Sequence, residues 1–217
     1  MIKIEPSVKL ETRQTQYEML SIIEDAARTC YKSENNITDG SSMRMYKNLI
    51  KSGHTAMIEH VCITVRVICD RGVSHEIVRH RIGSYAQEST RYCNYASGKF
   101  GEQLTFIDIG TGFMLDIDNP KDRMIYNTWL SAMKSAEEAY MQMIDIGATP
   151  QLARSVLPNS TKTELVMTLN PRSWLNFFKL RLDEHAHPQM IEVAVMIFDE
   201  LNKAYPDMFN VDILELA

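Results

Sequence analysis

Residues 60–69, HVCITVRVIC, decide the fold class: Val61, Ile63, Val65, Val67 and Cys69 fall on one side, and Thr64 and Arg66 on the other. Alternation with period two marks a strand with one buried face, because successive side chains leave a pleated backbone in opposite directions. Asp70-Arg71-Gly72 breaks the pattern, and VSHEIVRHR (73–81) predicts a short helix leaving the strand end. The next stretch, IGSYAQESTRYCNYASGKFG (82–101), is polar, punctuated by Gly and Ser, and has no period. A loop that long in a compact chain is usually functional.

Outward from this centre the patterns alternate between strand and helix. Upstream, residues 2–10 read as an edge strand interrupted by Pro6. Residues 15–31 place Met19, Ile22, Ile23, Ala26, Ala27 and Cys30 on one helical stripe. SENNITDGSS is turn chemistry, and MRMYKNLIKSG predicts a helix stopped by Gly53. Downstream, QLTFIDI (103–109) predicts a strand. Pro120 to Gly147 predicts the longest helix, its stripe running through Ile125, Trp129, Met133, Ala136, Tyr140, Met143 and Ile144. PQLARSVLP, TKTELVMTLN, PRSWLNFFKLRL and PQMIEVAVMIFDELNKAY then read as short helix, strand, helix and amphipathic helix. No repeat, linker or change of composition divides the chain, so the expectation is one α+β domain over 1–217.

The 217 residues carry 45 % hydrophobic and 24 % charged side chains, the profile of a folded chain rather than a disordered or collagenous one. A net charge of −5 leaves no cationic excess for a long nucleic acid, whose binding rests on neutralising many phosphates. No stretch approaches a membrane span of roughly 20 apolar residues. The four cysteines lack CxxC spacing, and MIKIEPSVKL shows no apolar leader core, so the expectation is a cytoplasmic protein with free thiols.

Arginine is the anomaly. Of the 23 basic residues twelve are Arg, and Arg66, Arg71, Arg79, Arg81 and Arg91 fall within 26 positions. Guanidinium is a permanent cation whose planar fork matches phosphate or carboxylate, so this cluster beside a long polar loop suggests a small-anion site. Salt bridging on a solvated face is the other reading, weakened by how few acids lie nearby: Asp70, Glu76 and Glu88. His75 and His80 resemble a zinc-protease helix but are spaced i, i+5, about 140° apart at 3.6 residues per turn, so no metal is expected. No nucleophile elbow, P-loop or GxGxxG is present. Ser89, between Glu88 and Thr90 and near Arg91, reads as a hydrogen-bond donor to phosphate in preference to a nucleophile, since no positioned base lies nearby in sequence, or as a serine capping its own loop. A second polar group, Arg154, Arg172 and Arg181 with Asn170, Asn176 and His185, gives the helix after Pro171 a directional hydrogen-bonding face.

Arg79-His80-Arg81 followed after seven residues by Ser89 resembles the signature of the flavin-dependent thymidylate synthase family. GHTAMIEH (53–60), SHEIVRHRIGSYAQESTRY (74–92), ARSVLP (153–158) and NPRSWLNFFKLRLDEHAH (170–187) follow in the family's order and spacing. The resemblance implies a central, mostly antiparallel sheet flanked by helices and a homotetramer with ligands shared between subunits. It implies conversion of dUMP to dTMP, with a methylene from 5,10-methylenetetrahydrofolate and a hydride from FAD regenerated by NADPH. By position, Glu76, Arg79, Gln87, Glu88, Ser89, Thr90, Arg91, Arg154 and Arg181 are similar to the dUMP contacts. Of these Ser89, Arg91 and Arg154 serve the phosphate, and Arg181 polarises the uracil; Arg181 and Ser89 are the catalytic candidates. His54, Ala56, Arg79, His80, Arg81, Gln87, Asn170, Arg172, Asn176 and His185 are similar to the FAD-facing set. The chain departs from the pattern at Glu76, at Ala86-Gln87 and at Ala56. Two rival readings are a non-enzymatic nucleotide- or RNA-binding module stacking bases on Tyr85, Tyr92 and Tyr95, and a metal hydrolase built on the histidine pairs.

Overall fold

A computed structural model describes residues 1–98 and 101–217; Lys99 and Phe100, in the long polar stretch, lie outside the described residues. In chain order the elements are β1 (Ile2–Ile4), β2 (Ser7–Leu10), α1 (Gln16–Thr29), α2 (Ser41–Lys51), β3 (Ile63–Asp70), α3 (Arg71–Ile77) and β4 (Ser84–Gln87). There follow β5 (Thr105–Ile107), α4 (Pro120–Asp145), α5 (Pro150–Ala153), β6 (Lys162–Leu169), α6 (Pro171–Arg181), α7 (Pro188–Ala204) and α8 (Val211–Leu216).

Strand β3 forms where the alternation predicts it, with Ile63, Val65, Val67 and Cys69 buried and Thr64 and Arg66 half-buried. β6 repeats the pattern through Thr163, Leu165, Met167 and Leu169. They are central in a four-stranded sheet of order β2-β3-β6-β4. Thr64 Oγ1 lies 2.8 Å from Thr168 Oγ1, while at the other end the Arg71 N–H donates to Asn159 O and Thr161 O, so β3 and β6 run antiparallel. Pro6 separates β2 from β1, which pairs in parallel with β5 in a sheet of its own.

Capping sets the helix boundaries. Thr15 and Glu18 cap each other at the start of α1, and Asn119 and Asn170 accept N–H groups in the first turns of α4 and α6, each ahead of a proline at N1. Gly53 and Gly147 follow α2 and α4 at φ +72° and +93°, a backbone open to glycine and strained for other residues. Three expectations change. The helix predicted over 73–81 closes at Ile77, with Asp70 as its cap, so Arg79, His80 and Arg81 lie beyond it. The aperiodic stretch contains β4. The α4 stripe is buried only at Met133 and Tyr140, and Ile125 is 44 % exposed.

By contacts the chain resolves into two units. The first comprises Met1–Ser7, Val67–Arg79 and Ala86–Leu165, and its core gathers Tyr95, Leu104, Phe106, Met133, Tyr140 and Ala153. The second comprises Val8–Arg66, His80–Tyr85 and Val166–Ala217. Its core is aromatic: Trp174, Phe177 and Phe178 of α6 are fully buried, Phe178 meets Phe198 and Phe209 edge-on, and Trp174 Nε1 donates to Ile63 O.

Candidate active site

In the first unit, the chain after β4 turns sharply at Ser89. The N–H groups of Tyr92 and Cys93 donate to Ser89 O, and the Arg91 N–H donates to Ser89 Oγ at 3.3 Å. Thr90 is thereby buried, 5 % exposed, and its Oγ1 accepts from Arg154 Nη1 at 3.4 Å. Arg154 is delivered by the short segment that Pro150 starts and buried Ala153 anchors. Arg91 Nε donates to Gln151 Oε1 at 3.1 Å. Thr90, Gln151 and Arg154 line a cavity of about 430 Å3 together with Arg71, Ser155 and Leu157. Among the described residues no carboxylate lines it. Arg71 belongs to the arginine cluster, Ser155 to the ARSVLP motif and Gln151 to none of the quoted motifs, and none of the three has a role from the resemblance; folding brings them together here.

Two neighbours are committed to the scaffold. Glu88 Oε2 accepts from Lys162 Nζ at 2.7 Å and Oε1 from Tyr95 OH at 2.8 Å, while its N–H donates to Glu164 O. Burial and the Glu88 charge push the Tyr95 phenol far above its ordinary value, so Tyr95 stays a donor. Both Glu88 oxygens are thus taken by protein groups. Gln87 spends both amide protons on Ser74 Oγ and Thr163 Oγ1 and keeps its carbonyl as acceptor. Glu76 is half-buried on α3, and Arg79, just past the helix, is exposed.

In the second unit, α6 divides its polar residues between two faces. Arg172 and Asn176 are exposed, with Arg172 Nη1 donating to Glu59 at 2.6 Å. Arg181, one turn after buried Phe177, lies on the other line, and its Nε donates to His80 Nε2 at 2.8 Å. His80 is 5 % exposed and its ring lies 4.8 Å from that of Phe177. Burial first, and the Arg181 charge second, pull the imidazole down to about 4, so it is neutral and accepts on Nε2.

The expected FAD-facing residues differ in how free they are. Asn170 uses Oδ1 to cap α6, and His185 is exposed and paired with Asp183 at 2.9 Å. Ala56, just ahead of a 3₁₀ turn at Met57–Glu59, offers only backbone. His54 lines a second cavity, about 460 Å3, whose walls include Cys30, Tyr31, Met45 and Met57. The side chains of His54, Arg81 and Asn176 make no hydrogen bond or ion pair among the described residues. Of these three, His54 lines the cavity, whose walls are mostly apolar, and Arg81 and Asn176 are exposed.

Tyr85 OH donates to His80 O, and Tyr95 is buried and bonded to Glu88, so only Tyr92, 77 % exposed, offers a face for a base. Among the described residues no group of three His, Cys, Asp or Glu is gathered for a metal ion, and no helix is long and apolar enough to cross a membrane.

A family model described as "Thymidylate synthase complementing protein" matches residues 14–207. The chain is 30 % identical over 202 residues to the flavin-dependent thymidylate synthase of Corynebacterium efficiens, covering 88 % of this chain and 78 % of the relative. To the enzyme of the same name from Pyrococcus furiosus it is 31 % identical over 173 residues, covering 79 % and 67 %. A crystal structure of the UMP/dUMP methylase PolB from Streptomyces cacaoi, bound with 5-Br dUMP, superposes with a TM-score of 0.78 at 22 % identity over 100 % of this chain and 96 % of that one, which establishes a shared fold.

Proposed function

We propose, from the premise that this chain belongs to the flavin-dependent thymidylate synthase family and is a methyltransferase, that it converts dUMP to dTMP. The methylene comes from 5,10-methylenetetrahydrofolate and the two reducing electrons, as hydride, from NADPH through FAD. The products balance as dTMP, tetrahydrofolate and NADP⁺. The assignment extends to one catalytic domain over 1–217, a homotetramer and a cytoplasmic location.

The observation that carries this reading is the cavity in which Arg154 and Thr90 meet, with no carboxylate among its described lining residues. It suits a nucleotide 5′-phosphate, with Ser89 and Arg91 shaping and charging its rim and Arg79, Glu76 and the Gln87 carbonyl serving the rest of dUMP. Bound FAD supplies the hydride chemistry, and His54, Arg81, Asn170, Arg172, Asn176 and His185, with the backbone near Ala56 and His80, hold it. Arg181 is the electrostatic group: a fixed cation against the uracil stabilises the negative charge that develops when carbon 5 becomes nucleophilic. Neutral His80 orients that cation without adding a competing charge.

The test is direct. The purified chain should be yellow with bound FAD and form dTMP only when dUMP, methylenetetrahydrofolate and NADPH are all present. Colourless protein that refuses added FAD, or no dTMP from the complete mixture, would overturn the proposal.

A further inference from the structure

We infer that Arg71 is a further phosphate-binding arginine, lining the same cavity of the first unit as Arg154, and that the ligand it recognises is the terminal phosphate monoester of the nucleotide. This deepens the functional reading above and rests on it for the identity of the nucleotide.

Arg71 is the first residue of α3, and its N–H donates to Asn159 O at 2.9 Å and Thr161 O at 3.1 Å. Its main chain is therefore pinned where β3 ends beside the start of β6, and the residue is half-buried rather than a free surface arginine. It lines the same cavity as Arg154, about 430 Å3, within the range of small-ligand sites. Neither arginine meets a carboxylate within ion-pair distance among the described residues. The remaining polar walls, Thr90, Gln151 and Ser155, are neutral hydrogen-bonding groups.

Two guanidiniums sharing one recess without a counter-charge repel each other, and in a chain of net charge −5 with 28 acidic residues the missing carboxylate is not for want of supply. The compensating anion is the ligand's. A phosphate monoester carries nearly two negative charges near neutral pH and three terminal oxygens, enough for two arginine forks and a hydroxyl; a carboxylate offers one charge and two oxygens. Gln151 couples this recess to Arg91 through its carboxamide, so a third cation stands behind the first two.

The experiment compares calorimetric binding of dUMP, deoxyuridine and orthophosphate to the FAD-loaded wild type, Arg71→Gln and Arg71→Lys. The expected result is that Arg71→Gln weakens dUMP at least about tenfold, leaves deoxyuridine within twofold, and abolishes orthophosphate binding, with Arg71→Lys intermediate. Unchanged dUMP affinity in Arg71→Gln, or equal loss of dUMP and deoxyuridine, overturns the assignment. Failure of the wild type to bind dUMP overturns the functional reading instead. In that event orthophosphate binding decides Arg71 by itself: lost in Arg71→Gln it supports the site, and unaffected it refutes it. Arg71→Lys retains a cation and a long side chain, so it keeps the comparison interpretable if the glutamine variant does not fold.

Discussion

Arg181 Nε donates to His80 Nε2 across 2.8 Å, joining residues 101 positions apart in sequence. The bond needs a lone pair on Nε2, and protonated imidazole has none. A neutral imidazole accepts this N–H without adding a charge of its own, so the bond holds one edge of the guanidinium in a known direction. Phe177 behind the His80 ring fixes the acceptor in turn.

A pH dependence of stability follows. With its folded value lowered from 6.5 to about 4, His80 refuses a proton between those limits that the unfolded chain binds. The contribution is fully present above pH 6.5 and is lost as pH falls toward 4. Thermal midpoints of wild type and His80→Gln, measured from pH 7 to pH 4, should therefore converge as pH falls. Parallel curves would show that the imidazole titrates normally.

Removing the acceptor should reach turnover more than binding. His80→Leu keeps apolar packing on Phe177 but leaves Arg181 Nε without this partner, and a loosened electrostatic group lowers kcat by about tenfold or more. His80→Gln restores an acceptor oxygen and should recover most of the loss. KM for dUMP and the yellow colour should change little in either variant. If glutamine and leucine are equally impaired, His80 acts through packing alone.

The strands and helices that frame these residues were readable where a local pattern meets a buried face. The alternation of β3 and β6 survives folding because each places one face in the interior, and Asn170-Pro171 announces α6 by capping chemistry that needs no tertiary partner. β4 was not readable: Ser84–Gln87 has no apolar period, and its strand conformation follows from pairing with β6, where Glu88 N–H donates to Glu164 O across 76 positions. The early close of α3 moved Arg79-His80-Arg81 off a helix, which no period count would reveal. Site roles came from the family resemblance; Arg71 stood out in the arginine cluster without a role, and Gln151 became visible only when folding brought both to Thr90 and Arg154.

Glu88 separates a scaffold role from a ligand role within one short turn. Its carboxylate is half-buried and accepts from both Lys162 and Tyr95. Glu88→Ala leaves an ammonium and a phenol without these contacts, at a cost of about 2–3 kcal/mol for groups so enclosed. In a chain of this length that lowers the melting temperature by roughly 4–12 °C. Tyr95→Phe, which removes one hydroxyl and leaves Lys162 in place, should cost about 1 kcal/mol. Calorimetric dUMP affinity should stay within about twofold in Glu88→Ala at a temperature where the variant is folded, because the carboxylate faces protein donors and a phosphate would be repelled by it. A large loss of dUMP affinity with an unchanged melting temperature would instead make Glu88 a ligand-binding residue.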